Sequence, residues 1–514
     1  MPKAFDFGGV NLTSGGDSSG AHLSPETPFR IAILGDFSGR ANRGISDAET
    51  IDKRRVVVVD RDNFDEVLSR LGADLQLVVG DDSLQLRFSE IEDFHPDRIF
   101  EHLEAFGKLR DLRGRLQNPS TFQEAAEELG LNSPRANHDP RRTNISAAVA
   151  PDVTHLASAS LLDEMIEQTE SRASEDRYRR KPDEVRAFAQ RIAAEHVVSA
   201  PDARQPEILS VIDRGVGVLM RAVLHNRDFQ ALEAIWRATF LLVRQLETGA
   251  QLKVYLIDIS KDELAADLKS TKDLRDTGIY RLLVEQTVET PGAEPWSIII
   301  GNYSFGSASE DAEILSRMGQ IAHRAGAPFV AGASATLLGI SSIASAPHPR
   351  EWKSPRDLVP HWAELRGHPE AEFIGLALPR FLLRVPYGRK TVPLESFDFE
   401  EFPQLPAHED YLWGNPGFAV ALMAQSFSQN EGDTRAGAVT EAEIDGLPLH
   451  IYEHDGDSKS KPCAEILLSE DAAERLLEEG LMPLISFKDT DRIRITRFQS
   501  IADPLRRLAG RWSG

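Results

Sequence analysis

The stretch FQALEAIWRATFLLVRQL (Phe229–Leu246) runs almost directly into QLKVYLIDIS (Gln251–Ser260). In the first segment Phe229, Leu232, Ile235, Trp236, Phe240, Val243 and Leu246 recur at three- and four-residue steps, which predicts a helix with one broad apolar face. The second segment is short and rich in Val, Leu, Ile and Tyr, and predicts a buried strand. Phe229, Leu232, Trp236 and Phe240 are the expected core anchors, set against the 252–259 strand.

Working outward, strand and helix patterns alternate without a fixed period, which excludes a solenoid. Residues 1–27 are rich in Gly, Ser, Asn and Thr and read as a flexible N-terminal arm. Order begins at PFRIAILGDFSGR (Pro28–Arg40), a strand ended by Gly35, and VVVVD (Val56–Asp60) is a second strand. DNFDEVLSRLG (Asp62–Gly72) reads as a short helix with Asp62 as N-cap and Gly72 as its stop. LQLVV and LQLRF (Leu84–Phe88) alternate and predict a hairpin across GDDS. One longer helix is expected through Ile99, Leu103, Phe106, Leu109, Leu112 and Leu116. NSPRANHDPRRTN opens the clearest linker, 132–153. Helices at Leu161–Glu170, Pro182–Val197 and Pro206–Leu224 follow. Beyond Ile259 come the strands IIIGNYSF (Ile298–Phe305) and APFVAGAS (Ala327–Ser334), with a helix over 311–325 between them. EFIGLALPRFLLRVPYG and an α/β segment from Leu447 close the order. GDTRAGAVTEAEIDG (Gly432–Gly446) and HDGDSKSKP (His454–Pro462) read as exposed loops.

The chain has 514 residues, enough for two to four domains, with 41% hydrophobic and 27% charged residues. Lys and Arg total 58 against 81 Asp and Glu, a net charge of −23. That balance argues against nucleic acid as a partner, since phosphate binding needs a basic surface. No apolar run reaches the ~20 residues that span a bilayer. The N-terminus lacks a basic-then-apolar signal pattern, so no direct membrane insertion is expected and the location reads as cytoplasmic. A single cysteine, Cys463, excludes an internal disulfide framework and a multi-cysteine zinc site.

The chemical motifs fail one by one. GDFSGR is no phosphate loop: there is no GxxxxGK[ST] and no GxGxxG between strand and helix, so it reads as a glycine-bearing turn after an edge strand. The histidines show no HExxH and no ligand spacing beside carboxylates. GASAT (Gly332–Thr336) places Ser334 as in a nucleophile elbow, but Thr336 stands where the sharp turn needs glycine. Glu90, Glu92 and Asp93 lie in polar sequence without the burial that tunes an acid/base pair. Cys463 follows Lys461 and Pro462 in a polar loop and reads as an incidental thiol. No catalytic residue, cofactor site or metal site is expected, and the chain does not read as an enzyme.

Two blocks of wording carry a resemblance. PFRIAILGDFSGR, IDKRRVVVVDRDNFDEVLSRL and LRFSEIEDFHPDRIFEHLEAFGKLRDLRGRL resemble the small sheath subunit of type VI secretion systems over roughly Pro28–Gln117. A second series is similar to the large sheath subunit and keeps its order. It runs through SLLDEMIEQT, VLHNRDFQALEAIWRATFLLV, KVYLIDISKDELAADL, EPWSIIIGNYSF, IAHRAGAPFVAGAS, EFIGLALPRFLLRVPYG, EDYLWGNPGFAVALMAQSF and EILLSEDAAERLLEEGLMPLISFKDTDRIRI.

The resemblance implies a mixed α/β, multi-domain protomer of the phage-tail-sheath type, with mixed sheets flanked by helices. Its expected regions are a small-subunit-like domain at 28–131, the linker at 132–153 and a large-subunit-like region at 154–514. FQSIADPL stands where the family's large subunit continues, so this last region is expected to be C-terminally shortened. The implied function is that of a structural fusion protein, self-assembling through strand exchange into the helical contractile sheath of a type VI secretion or related contractile injection system. An inner-tube protein and a baseplate are the implied partners. Leu161, Leu162, Met165 and Ile166 resemble the helix that a Clp-type unfoldase reads. A non-contractile tube or scaffold filament of the same fold is the alternative, and an enzyme with an unrecognised site is a third reading.

Overall fold

FRIAILG forms strand β1 (Phe29–Gly35), and all seven of its residues are buried. A strand apolar on both faces belongs in the middle of a parallel sheet covered on both sides, and that is its position. The computed structural model describes residues 27–79, 82–129, 202, 204–429 and 442–510. Within them β1 pairs in parallel with β5 (Leu252–Asp258) on one side and β6 (Ile298–Phe305) on the other, Ile33 lying opposite Leu256 and Ile300. The turn at GDFSGR therefore follows an interior strand, not an edge strand.

The large sheet has nine strands in the order β11-β15-β14-β8-β7-β6-β1-β5-β2. β7 (Phe329–Ala333), β8 (Ile374–Leu378) and β14 (Met482–Ser486) extend it in parallel. β15 (Ile493–Ile495), β11 (Ala442–Ile444) and β2 (Val56–Val59) join antiparallel at its two ends. Three two-stranded sheets complete the strands. They are β3 (Ala73–Val79) with β4 (Asp82–Phe88), β9 (Phe381–Leu382) with β10 (Trp413–Gly414), and β12 (His450–His454) with β13 (Asp457–Lys461). The class is mixed α/β.

Helix ends follow local chemistry. α1 (Phe64–Leu71) stops at Gly72, which takes the left-handed conformation at φ 69°. Its N-cap position is Asn63, not Asp62. α2 (Arg227–Gln245) starts at Asn226, whose side chain accepts from the Asp228 and Phe229 amides. α3 (Lys261–Ser270) starts with a capping box between Ser260 and Glu263. The single long helix expected from Ile99 to Leu116 is broken. Pro96 opens a helix that ends where Leu103 turns extended, and a second begins only at Gly107. Leu103 and Phe106, on either side of the short turn between the two helices, are both buried.

HDGDSKSKP is a hairpin, not a loop. Asp455 (φ 55°) and Gly456 (φ 84°) form the two-residue turn joining β12 to β13, the conformation that Asp-Gly favours. Cys463 is buried, not in a polar loop: its Sγ donates to the Thr490 carbonyl, and burial pushes the thiol up to about 11. A thiolate nucleophile is disfavoured there.

The described chain divides into a unit of residues 27–110 with 212–510 and a smaller unit of 111–129, 202 and 204–211. In the smaller unit Phe122, Ala125 and Ala126 are buried with Leu116, and Gln205 Nε2 donates to the Leu116 and Gln117 carbonyls. In the larger unit β1 and β2, from the small-subunit-like region, share one sheet with strands of the large-subunit-like region. The arm at 1–26, the linker 132–153, the helices Leu161–Glu170 and Pro182–Val197, and most of the loop Gly432–Gly446 lie outside the described residues.

Candidate functional site

Parallel sheets bind ligands beyond the carboxyl ends of their strands, so that crevice is the first place to look for chemistry. Beyond β1 and β5 the chain fills it with its own bonds. Asp258 accepts from the Phe37 and Ser38 amides (2.8 and 3.2 Å) and from Ser38 Oγ (2.7 Å). Glu263, fully buried, accepts from Arg40 Nε and Nη2 (2.8 and 2.6 Å), Arg54 Nη2 (2.7 Å) and the Asp47 amide (3.0 Å). Ser334 caps a short helix, accepting from the Thr336 amide, and its Oγ is bonded to the Thr336 hydroxyl. Glu90 and Asp93 form a capping box. Among the described residues no group of His, Cys, Asp or Glu has the geometry to hold a metal ion.

A second ionic cluster ties α2 to the irregular segment after β9. Glu233 accepts from Arg237 Nε (2.6 Å) and Arg384 Nε (2.9 Å). Glu401 accepts from Arg384 Nη1 (2.8 Å) and the Tyr387 amide (2.8 Å). The Arg384 guanidinium also lies 4.5 Å from the centre of the Tyr387 ring. Two cations balance two anions whose carboxylates are buried. Sequence reading missed it, although Glu233 falls on the same helical face as Phe229 and Trp236, where an unpaired carboxylate would be costly.

The four core anchors lie on α2. Phe229, Leu232 and Trp236 are buried and Phe240 is half-buried. Their aromatic partners come from the first block: Phe88 and Phe94 around Phe229, Phe37 and Phe64 around Trp236, and Phe64 beside Phe240. Trp236 Nε1 donates to the Phe37 carbonyl at 2.9 Å. Leu161, Leu162, Met165 and Ile166 lie outside the described residues.

Burial opposes ionisation of Glu263, Glu401 and Glu465, but their guanidinium, imidazole and amide partners outweigh it and hold each carboxyl at about 2, against an ordinary 4.5. A depressed carboxyl contributes stability that is complete above the ordinary value and lost as pH falls through the folded one. The urea midpoint is therefore expected to stay flat from neutral pH to about 5 and to fall steeply between about 4.5 and 2. A decline that begins above pH 6 would contradict this assignment.

Strand edges offer another set of polar groups that can bind a partner. Some edges are blocked. On β2 the Val58 carbonyl accepts from Asn63 Nδ2. On β3, Asn42 imitates a strand: its Nδ2 donates to the Gln76 carbonyl (3.0 Å) and its Oδ1 accepts from the Gln76 amide (2.7 Å). The Asp74 amide is taken by the Ser38 carbonyl at 3.3 Å. In an antiparallel ladder, opposed residues either exchange both bonds or both turn outward. Gln76 and Asp74 turn outward, so their opposites Gln85 and Arg87 do the same on the far edge of β4, as does Ser83 by alternation. Among the described residues no partner meets these main-chain groups. β4 is thus a seven-residue strand with an open outer edge, the longest such edge described.

Comparison with known proteins adds the following. Residues 206–502, more than half of the chain, match the family model described as EvpB/VC_A0108, tail sheath N-terminal domain. Residues 9–129 match the one described as Type VI secretion system, VipA, VC_A0107 or Hcp2. The type VI secretion system sheath protein TssC1 of Pseudomonas aeruginosa (strain PAO1) is 34% identical over 310 residues, covering 58% of this chain and 61% of that protein. The chain spans about three fifths of the length of this curated relative.

Proposed function

Because the chain belongs to the tail-sheath family of type VI secretion systems, we propose that it self-assembles, as small and large sheath regions fused in one chain, into a helical contractile sheath that propels an inner tube. On this reading the small-subunit-like region is 28–131, the linker 132–153 and the large-subunit-like region 154–514. The observation that carries assembly is the β4 edge, which no described residue covers, whereas Asn42 covers β3 and Asn63 bonds the Val58 carbonyl of β2. An extended segment of a neighbouring copy added to Ser83, Gln85 and Arg87 would satisfy it by β-augmentation. Heterologous contacts of that kind generate open helical assemblies.

An inner-tube protein, a baseplate and a Clp-type unfoldase acting through Leu161, Leu162, Met165 and Ile166 belong to the same proposal. So does a cytoplasmic location. Among the described residues no helix is long and apolar enough to cross a membrane. The function would be structural rather than catalytic.

Negative-stain microscopy of the purified chain tests the reading: hollow tubes of two lengths per subunit are expected, and a chain that stays monomeric at high concentration would refute it. Tubes of one fixed pitch would refute contraction alone. The β4 edge has its own test in Gln85→Pro. Proline removes one outward amide and places its ring on the edge, while the β3–β4 ladder keeps its bonds. Tubes are expected to be lost with monomer melting unchanged. Normal tubes from this variant would show that β4 is not an assembly edge.

A further inference from the structure

Lys461 ends β13 and sits in a relay that neither assembly nor the ion clusters above require. Its Nζ is 2.9 Å from His408 Nδ1. His408 Nε2 is 3.1 Å from Glu465 Oε1. Glu465 is held ionised by Arg380, whose Nε and Nη2 reach Oε1 at 3.0 and 2.6 Å and whose amide reaches Oε2 at 2.8 Å.

These contacts settle the imidazole tautomer. An ionised carboxylate only accepts, so His408 carries its proton on Nε2. The Nδ1 lone pair therefore faces Lys461. The imidazole also lies against the Trp413 ring, 5.0 Å between centres, and Trp413 Nε1 donates to the His408 carbonyl at 2.8 Å. Lys461 Nζ also lies 5.5 Å from the centre of the Tyr411 ring and 5.4 Å from that of Trp413.

Burial pushes the Lys461 ammonium down, against the pull of Glu465 and Glu409 and with help from Arg380. The side chain is only half-buried. A desolvated amine beside a carboxylate-oriented imidazole is the arrangement that activates a lysine nucleophile.

We propose that Lys461 is a site of chemical acylation by small acyl phosphates, with His408 as the base and Glu465 as the group that positions it. In the step, the Lys461 ammonium first loses one proton through His408 Nδ1 to solvent, and the freed Nζ lone pair then attacks the acyl carbon to form the C–N bond. The bond from the acyl carbon to the phosphate oxygen breaks, and phosphate leaves with the electron pair. A second Nζ proton passes to His408 Nδ1 and on to the departing phosphate.

The product amide is neutral. It forfeits the attraction to the Tyr411 and Trp413 rings and the charge-assisted bond to His408. Lys461 is paired across the hairpin with His450, whose Nδ1 lies 2.7 Å from the Tyr411 hydroxyl. A two-stranded hairpin is marginal in water by itself, and acylation removes one of the ties that hold it to the chain.

The test uses the full chain in acetyl phosphate at pH 8, with site-resolved mass spectrometry over time. Lys459 and Lys390 are the internal references, both exposed on or beside the same hairpin. Lys461 is expected to acylate at least about fivefold faster than either, and His408→Gln is expected to bring it down to the Lys459 rate. Acylation of Lys461 no faster than Lys459 in the unaltered chain would overturn the proposal. So would a folded His408→Gln chain in which Lys461 reacts as fast as before.

Discussion

Replacing Arg384 with methionine is expected to lower stability by about 3–5 kcal/mol, the loss typical of leaving a buried charge without its partner. Arg384 is the bridge of its cluster. It bonds Glu233 through Nε and Glu401 through Nη1, and both carboxylates are within 1% of full burial. Methionine fills much of the space but leaves two anions against the single cation Arg237. The double variant Arg384→Met with Glu401→Gln tests that count, because it removes one cation and one anion and leaves the Glu233–Arg237 pair intact. A glutamine carbonyl can still accept from the Tyr387 amide. The double variant is therefore expected to be more stable than the single one, although it carries two changes. Urea unfolding followed by tryptophan fluorescence measures both, and additive losses would show that charge balance is not what the cluster supplies.

Glu263→Ala is the second large loss, again about 3–5 kcal/mol. It leaves Arg40 and Arg54 side by side without their shared carboxylate and removes the capping box at the start of α3. Arg40 and Arg54 come from the small-subunit-like block and Glu263 from the large-subunit-like one, so this residue pins the first block to the second. Limited trypsin digestion gives a local readout: cleavage after Arg40, Arg43 and Arg54 is expected to accelerate before the rest of the chain opens. Glu263→Gln keeps one acceptor and should fall between. Equal digestion of Glu263→Ala and the unaltered chain would contradict the assignment.

Much of the fold was legible in the residues. FRIAILG, VVVV, LKVYLID and IIIGNYSF are all strands, and the alternation of LQLVV with LQLRF is the β3–β4 hairpin. Each rests on a period that a short window displays. The misses have specific causes. Asp455-Gly456 was a turn signal with polar strands on either side, and polar strands lack the apolar alternation that marks most hairpins. Cys463 looked exposed because its neighbours in sequence are polar, whereas its neighbours in space include the Thr490 carbonyl.

The candidate site was hardly legible. Glu233, Arg384 and Glu401 are separated by up to 168 positions in sequence, and no local pattern announces that they meet. The open edge of β4 depends on which amides turn outward, which Asn42 reveals only once it is placed against Gln76.

By itself the sequence determined most of the central strands, the apolar face of Phe229–Leu246 and, through the order of its two blocks, the family. The helix was expected to rest on the strand after it. The tertiary structure decided that Phe37, Phe64, Phe88 and Phe94 from the first block also pack around its aromatic residues, and that β1 lies between β5 and β6. The physical reason is that apolar periodicity specifies that a face must be buried but not against what. The partner is chosen by shape and by strand pairing between residues far apart in the chain, and those terms have no local signature.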